Sequence, residues 1–248
     1  MRKDGRPLDA LRPITIQRNF TRTPAGSVLW SQGQTVVLAT ASITDDVPPW
    51  FPDDRVGGWV TADYVMLPGS TPQRKPWPKI GHTDSRGTEI QRLIGRSLRA
   101  AIDISKIGHR TIAIDCQVLQ ADGGTRTASI CAAYVALADA IAKLPRDSTD
   151  AGFAPDKALI DQLAAVSVGI IDGEIRLDLD YSDDSRADVD LNVAYTAAGR
   201  FVEVQGSAEN VGAEGGGFDR RQLDAMLDLA AAGCKKLMAI QNKAMAEG

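Results

Sequence analysis

Histidine and cysteine are scarce in this chain: two histidines, His82 and His109, and three cysteines, Cys116, Cys131 and Cys234, among 248 residues. The histidines lie in different segments and neither has a supporting motif, so a Ser-His-Asp triad or a histidine-based metal centre is not expected, and both read as loop residues. No Cys-x-x-Cys pair is present for a zinc site or a redox couple. The cysteines are odd in number, far apart and set among apolar neighbours, which suits small core residues in a reducing compartment. No uninterrupted apolar run approaches membrane-spanning length. The opening Met-Arg-Lys-Asp-Gly-Arg has no apolar stretch behind its charges, so a cytoplasmic protein without secretory signal or membrane span is expected. A net charge of −4 and a pI near 5.3 exclude a generally basic nucleic-acid coat while leaving room for a local positive groove. With these chemistries removed, carboxylates, arginines and backbone must do the work.

What is present describes an ordinary globular chain, 44% hydrophobic and 24% charged, long enough for a substantial core in one domain over 1–248. Ile14–Ile16 reads as a short strand. Ser27–Trp30 and Thr35–Ile43 flank Gln32-Gly33-Gln34 as a hairpin, and Val56–Leu67 reads as a strand ending at Pro68. Thr88–Ile104 has the apolar spacing of an amphipathic helix. Thr111–Leu119 reads as a buried strand and Ala128–Leu144 as a helix. Ala164–Ile171 and Glu174–Tyr181 flank Asp172-Gly173, the strongest short hairpin signal. Arg200–Gln205 adds a strand and Asp219–Met245 a closing helix. The order predicts an α/β (α+β) fold with mixed sheets and packed helices.

The junction at Leu119–Ser129, Leu-Gln-Ala-Asp-Gly-Gly-Thr-Arg-Thr-Ala-Ser, carries the sharpest chemical signal. The first N–H groups of a helix have no partner inside it, and the helix dipole is positive there. Gly123 and Gly124 let the backbone turn sharply, Arg126 adds a guanidinium, and Thr125 can cap the helix. The junction is therefore either an anion site or an ordinary turn with a threonine cap. Asn210–Gly217 is also glycine-rich, but it lacks the lysine and hydroxyl of a P-loop and receives no phosphate role.

Two charged regions accompany that junction. Gly69–Gly87 reads as a flexible basic loop with Arg74, Lys75, Lys79 and Arg86, suited either to a phosphate backbone or to solvent. Arg92, Arg96 and Arg99 continue as a stripe on the following helix. Further on, Leu177–Tyr181 and Asp188–Val193 alternate apolar and acidic residues, so two strands would place Asp178 with Asp180 and Asp190 with Asn192 on single faces. Asp183 and Asp184 fall between them. So many carboxylates repel one another unless something positive intervenes, which points to magnesium or manganese; the alternative is a solubilising acidic sheet edge.

Taken together, these motifs resemble the ribonuclease PH family. Its Glu-Ile-Gln-Arg-Leu-Ile-Gly-Arg-Ser-Leu-Arg stands here as Glu89–Arg99, and its Val-Leu-Gln-Ala-Asp-Gly-Gly-Thr-Arg-Thr-Ala-Ser-Ile as Val118–Ile130, with Gln117 in place of the usual Asp. Leu11–Pro13, Gly26–Leu29, Val166–Ile170 and Glu203–Gly206 also fit, so the similarity runs over nearly the whole chain in one order. Two departures stand out: Met66-Leu67-Pro68 is followed by Gly69 rather than Arg, and the usual Gly-Arg-Thr is Ser85-Arg86-Gly87.

The resemblance implies a ribosomal-protein-S5-domain-2-like two-lobed core, assembled as a hexameric ring of dimers. It implies a phosphorolytic 3′-to-5′ exoribonuclease that trims tRNA precursors with inorganic phosphate as co-substrate. Arg86, Gly124, Thr125 and Arg126 would bind phosphate, Asp184 and Asp190 would serve as catalytic groups or magnesium ligands, and Arg74, Lys75, Arg92 and Arg96 are candidates for RNA or subunit contacts. Two competing readings are a non-catalytic RNA-binding ring subunit and a small-molecule kinase of related fold. The first has no use for the full set of charged residues, and the second lacks a recognisable nucleotide loop.

Overall fold

The computed structural model describes residues 2–52, 54–77, 84–145, 148–208 and 217–247. Strand alternation builds its first sheet from β1 (Ile14–Arg18), β2 (Gly26–Gln32), β3 (Thr35–Thr44), β4 (Trp59–Met66) and β5 (Thr111–Gln120), in the order β1-β2-β3-β5-β4. In β5, Ile112, Ile114, Cys116 and Val118 are buried, while Ala113, Asp115 and Gln117 face the half-open side. A sheet covered on one face produces that pattern. β4 and β5 run parallel because α1 (Ser85–Arg99) intervenes between them in the chain; the other pairs are antiparallel. The second sheet is antiparallel throughout: β6 (Leu163–Ile171), β7 (Glu174–Leu177), β8 (Val189–Thr196) and β9 (Phe201–Ala208), in the order β7-β6-β8-β9. Only the first sheet is mixed.

Helix α2 (Thr125–Ala142) is buried on nearly all sides, because it lies against both sheets and needs no polar face. Beside it, α1 touches β4 of one sheet and β9 of the other. Ala165, Asn192 and Ala194 share a hollow with Leu93 of α1 and Thr127 and Ile130 of α2. Val168, of opposite parity to Ala165, pairs in register with Leu177. The Leu177 side chain is so close to α4 (Arg220–Ala246) that a Cβ at Gly233 would come within 2.7 Å of it. Thus α4 covers the far face of the second sheet. Its start is fixed by a capping box between Asp219 and Gln222. One continuous apolar core joins the two halves of the chain. The three cysteines are free and buried, and desolvation pushes the Cys131 thiol up to about 12.

Several boundaries differ from the sequence expectation. Helix α1 begins at Ser85, three residues early, because the Asp84 carboxylate accepts the Gly87 N–H as an N-cap. It ends at Arg99, and Ile102 leaves the helix to bridge Leu159. β4 starts at Trp59 rather than Val56. β7 stops at Leu177, because Asp178 adopts φ 56 and turns the chain out of the sheet. His109 is an exposed loop residue, as expected. His82, Lys79 and 210–216 of the glycine-rich loop lie outside the described residues.

Candidate active site

Two helix starts frame the site. At α2, Gly123 and Gly124 take φ values of 73° and 63°, a left-handed pair that other residues adopt only with strain. Gly124 is itself the N-cap, with no side-chain cap bond. Thr125 is therefore not the cap that the sequence suggested. Its hydroxyl is diverted to the Tyr64 hydroxyl at 2.9 Å, while Thr127 Oγ1 donates to the Gly124 carbonyl oxygen at 3.0 Å. A helix start without a capping side chain keeps its first amides for a ligand. At α1, Arg86 sits in the first helical turn rather than in a loop. Arg86 and Arg126 each occupy the second residue of their helix.

The positive charges of both arginines are felt at Tyr64. Burial raises the pKa of this β4 hydroxyl, and three things oppose the rise: the bond to Thr125 and the positive charges of Arg86 and Arg126. Guanidiniums from two helices thus act on one hydroxyl that is bonded to Thr125. Tyr64 was not singled out from sequence. Its signal was nevertheless present, since in Val60-Thr-Ala-Asp-Tyr it is the polar-tipped residue on the buried parity of the strand. Arg126 is further held by Gln205 of β9, and Gln205 Nε2 donates to Glu89 at 2.6 Å. Glu89 in turn lies 3.7 Å from Arg126 Nη1.

The acidic segment is organised differently from the expectation. Leu177–Tyr181 is not a strand, so Asp178 and Asp180 share no sheet face; Asp180 instead caps α3 (Tyr181–Asp184) by accepting the Asp183 N–H. The positive partners for two of the carboxylates are arginines rather than a metal. Asp178 pairs with Arg12 at 2.7 Å, and Asp183 with Arg2 at 2.9 Å and Arg176 at 2.7 Å. Asp184 closes α3, whose first residue donates its N–H to Asp122 of the glycine turn at 3.3 Å. The second acidic run does lie mostly in a strand: Asp190 and Asn192 share a face of β8, joined by an amide-to-carboxylate bond of 3.0 Å. Asn192 lines the same hollow as Arg126 and Thr127. Asp184 is thus linked to the glycine turn through Tyr181 of its own short helix, and Asp190 to the hollow beside α2 through Asn192.

Among the described residues no group of three or more His, Cys, Asp or Glu could hold a metal ion. Magnesium, however, is commonly held by one or two carboxylates with substrate phosphates completing its shell, so the pair Asp184 and Asp190 fits that ion better than a transition metal.

The remaining basic candidates lie around this centre. Arg74 is exposed, and Lys75 folds back so that its Nζ lies 3.4 Å from Met66 Sδ at the end of β4. Arg92 is exposed on α1, and Arg96 forms an ion pair with Glu203 of β9 at 3.1 Å. A Cβ at Gly87 would come within 2.8 Å of the Asp84 carboxylate, so the departure at Gly87 goes with the Asp84 cap. A hollow of about 360 Å³ lies beside α1 and is lined by Asp63, Asp84 and Asp115. That acidic lining repels phosphate. Burial and the neighbouring Asp63 already raise the Asp115 carboxyl, and the uncharged Gln117 in the same wall spares the hollow a fourth carboxylate.

The class of protein follows from comparison of this frame with known families. The chain belongs to the 3′ exoribonuclease family, whose domain 1 model matches residues 10–143 and whose domain 2 model matches residues 161–233. Among curated relatives it is similar to "Ribonuclease PH" of Corynebacterium glutamicum (53% identity, covering 98% of this chain and 96% of the relative). It is also similar to "Ribonuclease PH" of Corynebacterium kroppenstedtii (51% identity, covering 100% and 94%). The fold matches an Archaeoglobus fulgidus exosome structure with RNA bound to its active site, at a TM-score of 0.77 and 24% identity over 95% of this chain and 91% of that one. No helix among the described residues is long and apolar enough to cross a membrane.

Proposed function

We propose that this chain is a phosphate-dependent 3′-to-5′ exoribonuclease that trims the 3′ ends of tRNA precursors in the cytoplasm, working as a hexameric ring built from three dimers. Inorganic phosphate attacks the last phosphodiester of the RNA. A new P–O bond forms to that phosphorus, the bond to the penultimate 3′ oxygen breaks, and the terminal nucleotide leaves as a nucleoside 5′-diphosphate. Two anions must meet for this to happen, so the site needs positive charge on both sides of the incoming phosphate.

The observation that carries the reading is the start of α2, which has no side-chain cap, carries Arg126 at its second residue and has the Thr125 hydroxyl bonded to Tyr64. Arg86, Arg126, the Gly124-Thr125 backbone and the Thr125 hydroxyl bind the phosphate nucleophile. Asp184 and Asp190 are proposed to act on the departing 3′ oxygen as it develops charge. One of them, when protonated, hands that oxygen its proton. Asp184 and Asp190 would hold a magnesium ion, which would supply Lewis-acid stabilisation of the same charge. Arg74, Lys75, Arg92 and Arg96 are proposed to contact the RNA backbone upstream.

The test is incubation with a 3′-extended tRNA, with and without phosphate. Nucleoside diphosphates released only with phosphate are the expected product. Monophosphates would identify hydrolysis and sink the proposal, and no product would favour a non-catalytic RNA-binding subunit.

A further inference from the structure

We infer that Arg12 is a positioning residue for the phosphate turn and that Arg2 plays the same part for the turn bearing Asp184, so that residues 2–12 strap the two halves of the site together. The inference rests on the phosphorolytic reading given above. In sequence this segment is merely polar and turn-rich. In the fold Arg2 and Arg12 are almost wholly buried, which for an arginine requires dedicated partners.

Arg12 has them in two directions. Its backbone N–H donates to Asp178 Oδ2 and its Nη2 to Asp178 Oδ1, both at 2.7 Å. Its Nη1 donates to the carbonyl oxygen of Asp122. Thr35 completes the grip: its hydroxyl donates to the Gly123 carbonyl oxygen at 2.7 Å and accepts the Asp122 N–H at 3.0 Å. Three backbone groups of the turn are thereby tied on the protein side. The amides that begin α2 are left on the ligand side. A Cβ at Gly124 would lie 3.0 Å from Arg12 Nη2, so the guanidinium is seated directly against the turn it holds.

The other arm runs to the acid. Arg2 Nε donates to Asp183 Oδ2 at 2.9 Å, and Arg176 Nη1 donates to Asp183 Oδ1 at 2.7 Å. Arg2 Nη2 also donates to the carbonyl oxygens of Leu177 and Asp178. Asp183 is the residue before Asp184, so fixing its side chain sets the orientation of α3. Both arms meet at Asp178.

Lysine keeps the charge of arginine but lacks the fork that serves two acceptors at once. The experiment therefore measures phosphorolysis of a short RNA by full-length wild type, Arg12→Lys and Arg2→Lys, with thermal melting and RNA binding followed in parallel. In Arg12→Lys the half-saturating phosphate concentration rises about tenfold or more while RNA binding holds. In Arg2→Lys, kcat falls by a similar factor at unchanged phosphate dependence. Thr35→Ala loosens the same turn without touching the ion pair and raises the phosphate requirement even if Arg12→Lys does not fold, and Thr35→Ser restores it. A phosphate-dependent wild type whose Arg12 and Thr35 variants keep its phosphate dependence, losing only thermal stability, overturns the inference alone. A wild type that releases no diphosphate overturns the phosphorolytic reading and the inference with it.

Discussion

The starts of α1 and α2 make an instructive pair. Each places an arginine at its second residue, and both guanidiniums act on the Tyr64 hydroxyl. Their surroundings are otherwise opposite. The start of α1 is exposed and is capped by its own Asp84 carboxylate, which takes the Gly87 N–H and places a negative charge at the positive end of the helix. The start of α2 is enclosed, has no side-chain cap, and is gripped from behind by Arg12, Thr35 and Tyr64. A start capped by a carboxylate has one amide occupied and a negative charge in the anion's place, whereas an uncapped one held by other elements keeps its amides for a ligand. We therefore assign the backbone share of phosphate binding to α2 and a side-chain share alone to α1.

Breaking this asymmetry has the largest expected effect at Arg126. Arg126→Ala lowers turnover by about 100-fold or more, as removal of one preorganised donor at a site of developing charge does, while RNA binding persists. Arg86→Ala acts more on phosphate affinity than on turnover, because the Asp84 carboxylate already occupies an amide of its helix start and sets a negative charge there. Steady-state kinetics with phosphate as the varied substrate separates the two; equal losses in both parameters for both variants would erase the distinction.

A second test concerns acid. Burial works against the ionised forms of Asp178 and Asp183, but the charges and bonds of Arg12, and of Arg2 and Arg176, outweigh it and hold both carboxyls below the usual range. A depressed folded-state value contributes stability that is complete above the unfolded value of about 4 and is lost as pH falls below it. Melting curves should therefore hold steady from neutrality down to about pH 4 on this account and then drop. Asp178→Asn, which removes one of the two groups, should shrink that drop while lowering stability at pH 7 by about 3 kcal/mol or more, since Arg12 is left buried with an uncharged partner. An acid drop of full wild-type size in the variant would show that the pair contributes nothing to it.

The smallest expected effect is at Tyr64. Tyr64→Phe removes the bond to Thr125 and keeps the ring in the core, so it costs about 1 kcal/mol, or a rise of about fivefold in the half-saturating phosphate concentration. Unchanged phosphate dependence would mean that Thr125 needs no partner to face the ligand.

Much of the fold was legible because it is written in short-range patterns. Alternation in Thr111–Leu119, the Asp172-Gly173 turn and the apolar spacing of the closing helix each depend on neighbours within a few residues, and all three appear in the structure. Leu177–Tyr181 misled for the same reason. Its alternation is real, but Asp178 is drawn inward by Arg12, 166 residues away, and the strand ends there.

The sequence alone determined the strand-to-helix junction with its two glycines and Arg126, the spacing of Asp184 and Asp190, and the scarcity of histidine and cysteine. These follow from local backbone freedom and from which side chains exist at all. The tertiary structure alone decided that Thr125 bonds Tyr64 instead of capping its helix, that Arg86 opens a helix, and that two carboxylates of the acidic cluster, Asp178 and Asp183, are neutralised by Arg2, Arg12 and Arg176. Each of those outcomes is a competition for hydrogen bonds or charge between residues far apart in sequence, and burial settles it, because a buried donor or carboxylate must find its partner wherever the fold places one.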